Sequence, residues 1–129
     1  MEIDLSKRIA VVTGAGRGLG KAMAIAFAES GASVVLVDLD AASIQKVSKE
    51  LSSKGTVTAT FRADVSRKQE VNEVVKQAVA ELGRIDILVN NAGIVLRKPM
   101  LEYADSDWDR VIDVNLGAPS TSAMRWENI

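Results

Sequence analysis

The segment Thr13-Gly14-Ala15-Gly16-Arg17-Gly18-Leu19-Gly20 carries the clearest chemical signal in the chain. It follows a short apolar run, Ile9 to Val12, and precedes a stretch with helical spacing. Glycines at a strand-to-helix junction let the backbone turn tightly and come close to a pyrophosphate. The free N–H groups and dipole of the helix N-terminus then stabilise the phosphate charge. A glycine cluster alone is equally a flexible turn. Asp38 separates the two readings, because it lies about 20 positions past Gly18 at the end of the second apolar run, where dinucleotide sites keep an acidic residue. Its carboxylate would accept hydrogen bonds from ribose hydroxyls and repel a 2′-phosphate, so NAD is expected in preference to NADP. The alternative for Asp38 is a solvated strand end. The spacing excludes a strict G-x-G-x-x-G, since neither possible third position, Leu19 or Lys21, is glycine. The pattern present is T-G-x-x-x-G-x-G, on Thr13, Gly14, Gly18 and Gly20.

Asn115 is the second polar residue with a claim to chemistry. It stands one turn beyond Val111 and Ile112 and two turns beyond Trp108, on their face. An amide on a buried stripe must find hydrogen-bond partners or cost free energy. Tying its helix to a neighbouring loop is one way to meet that demand. With no His and no Cys, the chain lacks the ligands that zinc and copper sites favour, so no metal is expected.

Strand and helix periods alternate along the chain and place these residues. Ile9 to Val12 and Ser33 to Asp38 are continuous apolar runs of the kind buried on both faces of a parallel sheet. Leu19, Ala22, Met23, Ala26 and Phe27 fall at helical spacing, with Gly31 closing that helix. Asp40 is positioned to cap a second helix with Ile44, Val47 and Leu51 inward. Thr56 to Phe61 alternates and is rich in β-branched residues, as a third strand would be. Ser66 and Gln69 form a capping-box pattern ahead of a helix with Val71, Val74, Val75, Ala78, Val79 and Leu82 on one face. Gly83 ends it, and Ile85 to Val89 is a fourth strand interrupted only by Asp86. Ser106 and Asp109 open a further helix with Trp108, Val111 and Ile112 inward.

This βαβαβαβα order implies right-handed crossovers and a doubly wound parallel α/β sheet of the Rossmann type, truncated after about four strands in the order 3-2-1-4. No repeat, low-complexity tract or linker precedes residue 117. Residues 1–117 are expected to form the nucleotide-binding half-domain. Residues 118–129, which begin within the breaker cluster Gly117-Ala-Pro-Ser-Thr-Ser, form an atypical tail.

Composition narrows the function classes. The 129 residues are 47% hydrophobic and 26% charged, as in one globular domain that needs no staples. Sixteen Lys and Arg against seventeen Asp and Glu give a net charge of −1, and aromatics are 4%, so no nucleic-acid partner is expected. The N-terminus lacks a signal-peptide pattern, and the Val34–Val37 run is far too short for a bilayer. A cytoplasmic protein without a membrane partner is the expectation.

Taken together, the motifs resemble the short-chain dehydrogenase/reductase family. Besides the glycine pattern, Asp64-Val65 follows the third strand, Asn90-Asn91-Ala92-Gly93 follows the fourth, and Asn115 lies within Asp113-Val114-Asn115-Leu116. The four motifs occur in the family's order over residues 7 to about 117. The resemblance implies that Asp64 and Val65 contact adenine, and that Asn91, Ala92 and Gly93 support the sheet and reach the cofactor's sugar. Thr13, Gly14, Gly18, Leu19 and Gly20 then form the pyrophosphate loop. In the family an Arg at position 17 can bind the 2′-phosphate of NADP. Asp38 opposes that here, and Arg17 is otherwise a solvent-facing loop residue. Asn115 matches the Asn of the family's Asn-Ser-Tyr-Lys tetrad, which holds a water in the proton relay.

The resemblance further implies an oxidoreductase acting on a small alcohol or carbonyl compound. The remaining tetrad members have no match, because the only tyrosine, Tyr103, has Asp107 four residues on, and Ser120 and Ser122 sit in the breaker cluster. The chain by itself is therefore not expected to transfer hydride. The apolar fourth strand would form an open edge, through which self-association is expected. Three readings follow: the N-terminal portion of an enzyme, an inactive nucleotide-binding module, and an association partner of full-length relatives. A frameshift, an alternative exon, a truncated gene or a deliberate fragment would each produce such a chain.

Overall fold

The computed structural model describes residues 3–92. Gly93, Tyr103, the helix assigned around Trp108, Asn115 and the 118–129 tail lie outside the described residues. Elements alternate in the order β1 (Ile9–Thr13), α1 (Gly18–Glu29), β2 (Ser33–Asp38), α2 (Ala41–Ser52), β3 (Thr58–Arg62), α3 (Lys68–Leu82) and β4 (Ile87–Val89). The four strands form one sheet in the order β3-β2-β1-β4, and every pairing is parallel. This is the doubly wound Rossmann-type arrangement expected from the alternating periods. Among the described residues β4 pairs only with β1, which leaves it at the sheet's edge.

Period two along the strands splits the core between two faces. Val11, Val35 and Val37 point to the side that α3 covers with Val71, Val74, Val75 and Ala78. Val12, Val34 and Leu36 point to the side covered by Ala24 of α1 and by Ile44, Val47 and Leu51 of α2. Both faces being covered is why Val34 to Val37 reads as an unbroken apolar run. Asp40 caps α2 as its position suggests, its carboxylate accepting from Ser43 N–H at 3.2 Å.

Two local expectations are corrected. Helix α1 does not bury Leu19, Ala22 and Ala26: these are exposed, and Gly20 and Ala24 are the buried positions. Nearly every residue of α1 is apolar or small, so composition offers no contrast between faces. The face is instead chosen by close approach of Gly20 to the preceding loop. Ser66 does not close a capping box, because α3 begins at Lys68. The Ser66 hydroxyl and N–H both turn back to Asp64 Oδ1, at 2.6 and 3.0 Å. A short local bond to an Asp two residues back outcompetes a cap across three residues.

Asp86, the lone charge in the fourth apolar run, ties β4 to β1 at the end of the sheet away from the glycine loop. Its Oδ2 accepts from Ile9 N–H at 2.9 Å, while its own N–H donates to the Ile9 carbonyl at 2.9 Å. Arg84 Nε donates to the same carboxylate at 3.0 Å, and Arg84 Nη2 reaches the Lys7 carbonyl at 2.9 Å. The Ile9 N–H, with Arg84 and Arg8 assisting, holds the Asp86 carboxyl below its ordinary range against the opposing effect of burial. A carboxyl lowered on folding stabilises the fold above its unfolded value and loses that contribution as pH falls through the folded one. Asp86→Asn is therefore expected to lower the urea midpoint at neutral pH and to flatten its decline below about pH 4. Parallel acid limbs for the two proteins would contradict this.

Candidate functional site

The C-terminal ends of β1, β2, β3 and β4 surround a cleft of about 420 Å³. Clefts at the carboxyl ends of parallel strands are where open α/β sheets bind ligands, since loops and helix N-termini converge there. Gly14, Arg17, Asp38, Asp64, Val65, Asn91 and Ala92 all line it, so residues up to 78 positions apart in sequence meet at one site. The loop after β1 supplies the floor. Gly14 and Gly18 adopt positive φ, +64° and +57°. Gly20 packs so closely that a Cβ there would collide with the Gly14 carbonyl oxygen.

Helix α1 starts at this cleft without the usual means of satisfying its first turn. Its N-cap, Arg17, makes no side-chain cap bond, and no acidic residue stands in the first turn. By contrast Asp40 caps α2, and Glu70 sits in the first turn of α3. The first N–H groups of a helix have no intrahelical acceptor, and an anion is the partner they suit. A dinucleotide pyrophosphate fits these residues on three counts: first-turn amides without an acceptor among the described residues, a loop with no side chain where the backbone must approach, and no carboxylate in that turn to repel it.

Thr13 lies behind the cleft, 1% exposed. Its hydroxyl donates to the Val89 carbonyl at 3.2 Å and accepts from the N–H groups of Asn91 and Ala92 at 2.9 and 3.0 Å. That uses its one donor and both acceptor positions, leaving none for a ligand. Thr13 thus staples the end of β4 to β1 and sets the height of the Asn91-Ala92 backbone. Asn91 adds a second tie, Nδ2 reaching the Gly14 carbonyl at 3.4 Å. Leu19 stands 68% exposed in the first turn of α1.

On the opposite rim the Asp38 carboxylate is oriented by two backbone donors, Gly16 N–H at 3.0 Å and Asp40 N–H at 3.1 Å. The first of these ties the glycine loop to the end of β2. Asp64 is likewise held, by Ser66 and by Arg67 Nε at 3.6 Å. Two cleft residues carry more than sequence reasoning assigned to them. Asp40, read only as a helix cap, also lines the cleft and pairs with Arg17 Nη2 at 3.0 Å. Ala63 completes the wall after β3. The Asp38-x-Asp40 spacing was the available signal for the first, and nothing in the sequence marks the second. Among the described residues no cluster could hold a metal ion, and no helix is long and apolar enough to cross a membrane.

Comparison with known proteins agrees with this geometry. The profile of the short chain dehydrogenase family matches residues 8–124. The chain is 41% identical, over 88% of its length and 46% of the relative's, to (2S)-[(R)-hydroxy(phenyl)methyl]succinyl-CoA dehydrogenase subunit BbsD of Thauera aromatica. Its fold superposes with a TM-score of 0.90 and 34% identity on a 7α-hydroxysteroid dehydrogenase complexed with NADH and 7-oxo glycochenodeoxycholic acid, covering 98% of this chain and 49% of that one. A metagenomic short-chain oxidoreductase in complex with NADP gives a TM-score of 0.88 at 34% identity, covering 96% and 57%. The chain spans about half the length of these proteins. From its glycine loop through the Asn-Asn-Ala-Gly segment, the chain belongs to the short-chain dehydrogenase/reductase family.

Proposed function

We propose that this chain binds NAD(H), in preference to NADP(H), as the nucleotide-binding part of an oxidoreductase acting on an alcohol or carbonyl substrate. The observation that carries the reading is the uncapped start of α1, whose N-cap Arg17 lines the same cleft as Gly14 and Asp38. In this reading the first-turn amides around Gly18, Leu19 and Gly20 hold the pyrophosphate, and Gly14 gives it room. Asp38, already aimed by two backbone donors, accepts from the adenosine ribose hydroxyls and repels a phosphate there. Asp64 and Val65 flank the adenine. Asn91 and Ala92, at a height set by Thr13, carry the sugar on the nicotinamide side, a role shared with Gly93. Asn115 is the proposed water-holding residue of a proton relay.

When bound, NAD supplies hydride chemistry at its nicotinamide, and the residues described here bind and orient it. Relatives named for a hydroxy compound and bound to an oxo compound support the substrate class. The two cofactors named among solved relatives, NADH and NADP, leave the choice to residues of this chain, and Asp38 favours the unphosphorylated form.

Calorimetric titration of the 129-residue chain is expected to show NADH binding tighter than NADPH by about tenfold or more, the scale of one uncompensated charge contact near a protein surface. Equal or tighter binding of NADPH would overturn the preference. Failure of either nucleotide to bind would overturn the function.

A further inference from the structure

Arg17 and Asp40 meet at the rim of the cleft, Nη2 to Oδ2, at 3.0 Å. The other oxygen of Asp40 accepts from Ser43 N–H at 3.2 Å and so caps α2. The Asp40 N–H donates to Asp38 Oδ1 at 3.1 Å. Asp40 is therefore fixed by a helix start on one side and by the proposed ribose-binding carboxylate on the other. From that position it holds the only guanidinium among the described residues that line the cleft.

We infer that Asp40 is a second determinant of cofactor choice, acting through Arg17: it keeps the guanidinium in an ion pair and so withholds it from a ribose 2′-phosphate. The inference deepens the nucleotide reading above and rests on it. A guanidinium fork matches phosphate oxygens with two parallel charge-assisted bonds, so an unengaged Arg17 beside the ribose would recruit a phosphorylated cofactor. Among the described residues that line the cleft, three carboxylates, Asp38, Asp40 and Asp64, stand against one guanidinium, and Asp40 already pairs it. Asp38 excludes the 2′-phosphate by repulsion, and Asp40 by occupying its natural partner. The pair is exposed, 76% for the Arg17 side chain and 43% for Asp40, so it is weak enough for one substitution to release without disturbing the core.

Asn caps helices as well as Asp does, so Asp40→Asn removes the charge and keeps the start of α2. The test titrates the chain and this variant with 5′-ADP and 2′,5′-ADP, and with NADH and NADPH, while a thermal melt reads the fold. The preference for the ligand bearing a 2′-phosphate is expected to rise by roughly three- to tenfold in Asp40→Asn, with an unchanged melt. Raising the salt should shrink the gain, and in an Arg17→Ala background most of it should vanish. Asp40→Ser, which also caps, should behave like Asp40→Asn and serves if the Asn variant melts early. An unchanged ratio in a folded variant would overturn the inference while leaving NAD binding intact. A gain of equal size without Arg17 would also overturn it, because Asp40 would then act by its own charge alone. If the unmodified chain binds no nucleotide, the underlying reading fails and takes this one with it.

Discussion

Gly20→Ala is expected to destabilise the chain by about 3 kcal/mol and to weaken NADH binding at least about tenfold. The added Cβ would meet the Gly14 carbonyl carbon at 2.8 Å and collide with its oxygen, with Asn91 Nδ2 at 2.5 Å on another side. Two of these three atoms are backbone, so no rotamer change relieves the contact, and α1 must move off the loop. Movement of α1 carries its first-turn amides away from the pyrophosphate position, so fold and binding fall together. Gly18→Ala makes the contrast. A Cβ there meets nothing within 4 Å, and the penalty is confined to a φ of +57°, worth about 1 kcal/mol. Urea midpoints and NADH titrations should therefore rank Gly20→Ala well below Gly18→Ala. Wild-type stability and affinity in Gly20→Ala would mean that the loop does not pack as described.

Substitution of Asp38 is expected to shift cofactor preference toward NADPH by on the order of tenfold, but the choice of replacement matters. Both carboxylate oxygens take backbone N–H groups, Gly16 at 3.0 Å and Asp40 at 3.1 Å. Asp38→Ala removes the charge and also cuts the tie between the glycine loop and β2, so NADH affinity should fall for two reasons at once. Asp38→Asn retains one acceptor for those amides and removes the charge. It should narrow the gap between NADH and NADPH with the smaller loss of NADH affinity. A gap that stays the same width in both variants would show that Asp38 is structural and that discrimination lies elsewhere on the rim.

Much of this architecture is legible in the sequence, because each signal is local. Ser33 to Asp38 announces a doubly covered strand, since every residue between its ends is apolar. Ile44, Val47 and Leu51 announce the inner face of α2, because Lys and Glu separate them. The glycine spacing and the acidic residue about 20 positions on announce a nucleotide cradle, because backbone approach and ribose recognition each need a particular residue type.

What only the tertiary structure decided concerns groups whose partners lie far along the chain or whose type permits several roles. Helix α1 offers no polarity contrast, so its buried face follows from where Gly20 can approach Gly14. Thr13 has the residue type of a ligand-binding hydroxyl, yet its bonds run to residues 76 to 79 positions away, and they turn it into a staple. Asp86 reads as a blemish in an apolar strand until the fold brings Ile9 N–H to it. Asp40 reads as a cap until β2 and the glycine loop deliver Arg17 to its second oxygen. Periodicity and propensity act within a few residues, whereas the satisfaction of a buried or charged group is settled by whatever the sheet order places beside it.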